Sequence, residues 1–181
     1  VSASASIPQR SAALFADLPV PLGQVALFCE RAADEMFLRR LYRSTREDEL
    51  ATTGWPEAMK QSFCDSQFDL QRAHYIRQHP GGEFLIIRFG AEPVGRLYID
   101  AGGEAVQVID IALLPAWRGR GVGSTLLAAV QQRAAAAGKS VCLHVLFWNR
   151  RAMALYRRLG FAAGAASGSH LAMLWSRNGV S

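Results

Sequence analysis

Residues 108–125 read VIDIALLPAWRGRGVGST. An apolar run interrupted by one carboxylate, Asp110, stops at Pro115. A short basic loop holding Gly119, Gly121 and Gly123 follows, and then Leu126, Leu127, Val130 and Ala134 recur at helical spacing. A strand that feeds a glycine-rich turn at a helix start forms an anion site. The first helical N–H groups have no intrahelical acceptor, the helix dipole is positive there, and glycines let a phosphate approach the main chain. Arg118 and Arg120 add guanidinium groups suited to phosphate oxygens. The competing account of these residues is a solvated basic turn whose glycines serve the backbone alone.

Spacing narrows the ligand. A P-loop needs Lys before its Ser or Thr, and here Gly123 runs directly into Ser124 and Thr125. The dinucleotide pattern counted from Gly119 and Gly121 would put its third glycine on Ser124. Arg-x-x-Gly-x-Gly does fit, as Arg118, Gly121 and Gly123 after Leu-Leu-Pro. This segment resembles the acetyl-CoA signature of the GNAT superfamily of N-acetyltransferases. The resemblance implies that Arg118, Gly119, Arg120, Gly121, Val122, Gly123 and Ser124 wrap the pyrophosphate of coenzyme A. A second element agrees. Asn149-x-x-Ala152-x-x-Leu155-Tyr156, followed by Leu159-Gly160-Phe161, is similar to the family's Asn-x-x-Ala-x-x-x-Tyr-x-x-x-Gly-Phe stretch.

The rest of the chain is compatible. At 181 residues, half of them hydrophobic and 19% charged, it suits one α/β domain with an ample core. We divide it into an N-terminal tail, 1–23, and a single domain, 24–181. Leu14, Phe15 and Leu18 of the tail are candidates to dock on the body. No apolar run reaches membrane-spanning length, and the start lacks a basic region before an apolar run, so neither a membrane partner nor a signal peptide is expected. Cys29, Cys64 and Cys142 show no metal spacing and suit a reducing, cytoplasmic compartment. The net charge of +5 suits a polyanionic small ligand, while no nucleic-acid module is recognisable, so nucleic acid is disfavoured.

Read in order, 25–29 forms a strand, and Asp34 caps a helix striped by Phe37, Leu38, Leu41 and Tyr42. A polar loop carries Arg46, Glu47, Asp48 and Glu49. Pro56 opens a long helix whose buried face is Met59, Phe63, Leu70 and Ala73, ending near His79-Pro80. Strands 83–89, 93–100 and 105–113 make an antiparallel meander. A helix over 123–137 stops at Gly138, and strand 141–147 lies parallel to the central one. A short helix over 149–159 is capped by Gly160, and a flexible Ala/Gly/Ser loop leads to a last strand at 170–175. This order is also that of the GNAT fold: an α/β (α+β) mixed sheet, with an antiparallel meander and a parallel central pair splayed around the coenzyme A site, flanked by about four helices.

The resemblance also implies chemistry. The pantetheine arm would bond the backbone of Ile111 and Leu113, and an N–H near Leu113 would polarise the thioester carbonyl. Asn149 and Ala152 would stand beside that arm, Asn149 otherwise serving as a helix N-cap. Tyr156 is the candidate acid for the leaving thiol, a phenol of pKa ~10 beside a thiol of ~8.5; its alternative is a core role. An alkylamine is mostly protonated at pH 7, so a base helps, and Asp110 and His144 are the candidates, separately or as a pair across adjacent strands. Each has a bland alternative, a structural acceptor and a packed histidine. Gln107 stands where other members carry a glutamate. Trp55, Tyr42, Arg96 and Tyr98 line the acceptor site or merely pack. The implied protein is an acetyl-CoA-dependent N-acetyltransferase for a small-molecule or peptide amine, without a metal, with a homodimer among its expected states. The alternative is a non-catalytic acyl-CoA sensor.

Overall fold

Continuous burial over 84–87 and 94–99, beside alternating burial over 105–108 and 140–145, marks out a sheet covered on both faces. A computed structural model describes Phe15 and residues 17–177. Strands β1 (Val25–Cys29), β2 (Glu83–Phe89), β3 (Glu92–Asp100) and β4 (Ala105–Leu113) each pair antiparallel with the next. β5 (Ser140–Leu146) joins β4 in parallel, and β7 (His170–Trp175) lies between β5 and the edge strand β6 (Ala162–Ser167). The meander and the parallel central pair are those expected.

The stretch expected to be a flexible Ala/Gly/Ser loop is instead β6. Its side chains are small and nearly all exposed, so no apolar alternation announces it. Main-chain pairing to β7 makes it a strand, with an irregularity between Ala163 and Ala166.

Helices cover both faces. On one, α1 (Glu35–Ala51) and α2 (Glu57–Gln78) pack Leu38, Leu41 and Phe68 against Ile86. On the other, α3 (Val122–Ala136) and α4 (Arg150–Arg158) cover Leu85, Leu97, Ile99 and Val108. Phe15 and Leu18 are buried in this second core, while Leu14 lies outside the described residues.

Three local expectations are corrected. Asp34 takes the N-cap position of α1, but its side chain makes no cap bond there. It closes a preceding 3-10 turn, Ala32–Asp34, by accepting from the Arg31 N–H at 2.9 Å, and its other oxygen accepts from Arg88 at 2.8 Å. The polar stretch from Arg46 to Glu49 is not a loop but the solvent face of α1's last turns, since buried Leu50 returns the apolar stripe beyond it. In α2 the buried residues are Cys64 and Phe68, while Met59 and Leu70 are exposed. That face continues through Gln71, Arg72 and Tyr75, which are half-buried over polar groups. A search for apolar periodicity cannot see a face that is partly polar.

The α3 stripe is as expected, with Leu126, Leu127 and Val130 fully buried. Leu127→Ala should therefore cost about 2–5 kcal/mol in urea unfolding, whereas Leu70→Ala should stay within about 0.5 kcal/mol. Equal losses at the two sites would contradict the assigned face of α2.

Candidate active site

The two central strands part company. Their parallel register runs from Ala105↔Ser140 to Val108↔Leu143 and stops, although β4 continues to Leu113 and β5 to Leu146. A bulge lies opposite the break: β3 pairs Ile99 with Val108 and Tyr98 with Asp110, leaving Ile109 extra. Bulges bend the strand that carries them. β4's end stays with β3 through Leu97↔Ile111 and Gly95↔Leu113, and β5's end stays with β7 through Leu146↔His170. Val106 and Val108 are buried, whereas every residue from 109 to 113 is only partly so. Gly95 makes the β3 contact possible, because an added Cβ would clash with the Ala112 carbonyl and lie 2.7 Å from Leu113 Cδ2.

At the mouth of this gap the chain makes a 3-10 turn, Pro115–Trp117, and passes through Gly119 and Gly121 at φ +77° and +84°. These left-handed values favour glycine. Among the described residues no N–H from 119 to 124 has a protein acceptor; Thr125 is the first, bonding the Gly121 carbonyl at 2.9 Å. Six successive amides, including those of Val122, Gly123 and Ser124, are thus available at the start of α3.

The two loop arginines divide their work. Arg118 turns inward: its Nε donates to the Leu113 carbonyl at 2.8 Å and its Nη2 to the Ser44 carbonyl and hydroxyl at 3.1 and 3.2 Å. Its guanidinium ties the loop to β4 and α1. Arg120 is exposed and lies over the Trp117 ring at 5.5 Å. Sequence reasoning missed Arg151 of α4, whose Nη2 lies 3.2 Å from where a Gly119 Cβ would stand. Its only sequence signal is a place beside Asn149, which says nothing about a loop more than thirty residues earlier.

Asn149 caps α4, its side chain accepting from the Ala152 N–H at 3.1 Å. Tyr156 packs near Phe161, 8% exposed, and its hydroxyl has no protein partner among the described residues. Burial, with the Asp110 carboxylate adding to it, pushes this phenol up to about 12. His144 is exposed on β5 beside Ala172 of β7, one residue past the last β4–β5 pair.

Asp110 does not pair with His144. Its carboxylate contacts the Arg96 guanidinium of β3, which also donates to Gln71 at 2.9 Å. Next to it, Tyr98 donates to Glu30 at 2.6 Å, and Glu30's other oxygen pairs with Arg72. Tyr42, Arg96 and Tyr98 are buried, and Trp55 is packed edge-on to Phe63. Among the described residues no cluster of His, Cys, Asp or Glu could hold a metal ion, and no helix is long and apolar enough to cross a membrane.

A family model described as acetyltransferase (GNAT) family matches residues 36–161. The chain belongs to the GNAT acetyltransferase family. The match spans both helices of one face, the β4–β5 gap and the phosphate-binding type of loop. A thialysine N-epsilon-acetyltransferase from Bos taurus is 42% identical over 59 residues, 32% of this chain and 35% of that protein. The chain therefore matches about a third of that relative's length. Among solved structures, PaiA N-acetyltransferase from Thermoplasma acidophilum, in complex with coenzyme A, is similar at TM-score 0.64 and 16% identity, covering 84% of this chain and 98% of that one. SpeG spermidine N-acetyltransferase from Vibrio cholerae is similar at TM-score 0.56 and 17% identity, covering 83% and 92%. These likenesses establish that the splayed sheet is the GNAT fold.

All four tyrosines of this GNAT protein, Tyr42, Tyr75, Tyr98 and Tyr156, have phenols pushed up by burial. The fold thus favours the neutral phenols. That contribution is complete below about pH 10, where unfolded tyrosines ionise, and fades as pH climbs through the folded values. Tyrosinate absorbance of the native protein should stay flat past about pH 10 while the urea-unfolded chain titrates there, and stability should fall from that pH upward. A native Tyr156 midpoint near that of the unfolded chain, read as the difference from Tyr156→Phe, would contradict its burial.

Proposed function

We propose that this protein is an acetyl-CoA-dependent N-acetyltransferase acting on a primary amine of a small molecule or peptide, by direct attack within a ternary complex. The carrying observation is the row of six unpartnered amides at 119–124, set beside a β4 edge that no strand covers. A diphosphate satisfies clustered N–H groups at a helix start, and an extended amide-bearing arm satisfies an open strand edge, as a strand would. Neither a lysine-dependent P-loop nor a dinucleotide site accounts for both features.

Each residue then has a task. Gly119, Arg120, Gly121, Val122, Gly123 and Ser124 present the amides, Arg120 and Arg151 supply charge, and Arg118 braces the loop from beneath. Ile111 and Leu113 offer main-chain groups to the donor's arm, with Asn149 and Ala152 at the head of α4 bordering it. Tyr156, neutral throughout the physiological range, donates a proton to the departing sulfur. His144, exposed and with no side-chain partner among the described residues, passes the acceptor's first proton to water. The balance closes. One C–S bond breaks and one C–N bond forms; an alkylammonium loses two protons, one to solvent and one, through Tyr156, to the thiolate. Three free cysteines suit a reducing cytoplasm for this work.

A thermal-shift series with coenzyme A and release of free thiol from acetyl-CoA across a panel of amines test this reading. Coenzyme A should raise the melting temperature, and Arg120→Glu should weaken its binding by tenfold or more; an unmoved melting temperature in the wild type would overturn the proposal. Tyr156→Phe should lower kcat by about 10²-fold or more with coenzyme A affinity unchanged. An unaltered rate would return Tyr156 to a packing role.

A further inference from the structure

Arg96 is out of place for a sheet interior. It sits mid-β3 under α2, 3% exposed. Its Nη2 serves Asp110 and Gln71, its Cζ lies 5.1 Å from the Tyr98 ring centroid, and its Nε is buried with no acceptor. A buried guanidinium with an orphan donor is expensive to keep, and an apolar side chain of similar volume would serve the fold as well or better. The two ends of the ion pair differ. The Arg96 side chain is 4% exposed, whereas that of Asp110 is 20% exposed, on the β4 segment that β5 has left. The guanidinium is shut away, while the aspartate side chain keeps partial exposure although its oxygen nearest Arg96 is buried.

We propose that Arg96 is a positioning residue that holds Asp110 as a carboxylate at the β4–β5 gap, where Asp110 receives the acceptor as a protonated alkylammonium. This rests on the acetyl-transfer reading and specifies the charge state in which the acceptor docks. A carboxylate with one oxygen held by a buried guanidinium is fixed in place as a counter-ion. Asp110 therefore orients the ammonium, and proton removal is left to water and His144. The acceptor is accordingly a basic aliphatic amine, charged at neutral pH, rather than an aniline or hydroxylamine that arrives uncharged.

The titratable and charged groups around Asp110 come from every neighbouring element: Arg96 and Tyr98 of β3, Tyr75 of α2, Tyr156 of α4, and His144 on the same face of β5. Burial holds the three phenols neutral at physiological pH. Arg96 is the permanent cation of the set and the one in contact with Asp110.

The test observes the Asp110 side-chain carboxyl by carbon NMR in full-length protein saturated with coenzyme A, assigned with Asp110→Asn, with propylammonium chloride as the probe. In the wild type the carboxyl resonance should respond saturably to propylammonium at neutral pH. In Arg96→Gln, which loses the guanidinium in contact with the carboxylate, saturation should need about tenfold more propylammonium. Arg96→Lys should restore the response. Arg96→Met combined with Asp110→Leu keeps the interior filled should Arg96→Gln not fold, and should melt near the wild type yet raise KM about tenfold or more for any alkylamine that turns over. A carboxyl blind to propylammonium, an unaltered response in Arg96→Gln, or a double variant with wild-type KM overturns this inference alone. Failure of coenzyme A to stabilise the wild type overturns the acetyl-transfer reading beneath it.

Discussion

Everything functional in this structure depends on two neighbouring parallel strands that stop pairing halfway along. Unpaired main-chain groups are normally avoided in a protein interior, so such a gap must be held open from both sides. β5 cannot close it because β7 pairs along its whole length, from Val141↔Trp175 to Leu146↔His170. β4 cannot close it because the bulge at Ile109 bends it toward β3, where Gly95 lets the backbones approach. The glycine-rich loop then follows from position. A strand drawn aside at its end must turn sharply to reach α3, and Gly119 and Gly121 make that turn at left-handed φ, with N–H groups that find no protein acceptor among the described residues.

The charged groups repeat one theme. Three acids of the site's surroundings each meet an arginine from another part of the chain: Glu30 and Arg72, Asp34 and Arg88, Asp110 and Arg96. Such pairs add little net stability, because desolvation offsets the attraction. What they add is orientation. Arg118 acts likewise with neutral partners, joining β4 to α1 through Leu113 and Ser44 and so setting the height of the loop against the helix that flanks it.

Legibility in the sequence followed the physics of each signal. Periodic apolar stripes, such as Leu126, Leu127, Val130 and Ala134, were readable because burial of one helix face leaves a repeat. The loop was readable because glycines at left-handed positions and a cation-rich turn are local requirements. β6 was not, since an edge strand of small residues is made by its neighbour's hydrogen bonds and carries no pattern of its own. The buried face of α2 was not, since half of it is polar and meets partners on β1 and β3. At the site, Asp110 was visible as a carboxylate inside an apolar strand, but its partner was not: a pair with His144 of β5 was one of the readings open, and the structure puts Arg96 of β3 against it. Arg151 carried no usable signal at all.

By itself, then, the sequence determined the order of most elements, the position of the glycine-rich loop and the family, because these are written in local backbone needs and in the spacing of apolar side chains along one segment. The tertiary structure alone decided which charges meet, that Arg118 faces inward while Arg151 comes to the loop, and that β4 and β5 diverge after Val108. Those outcomes depend on distances between segments remote in the chain, and no residue encodes them on its own.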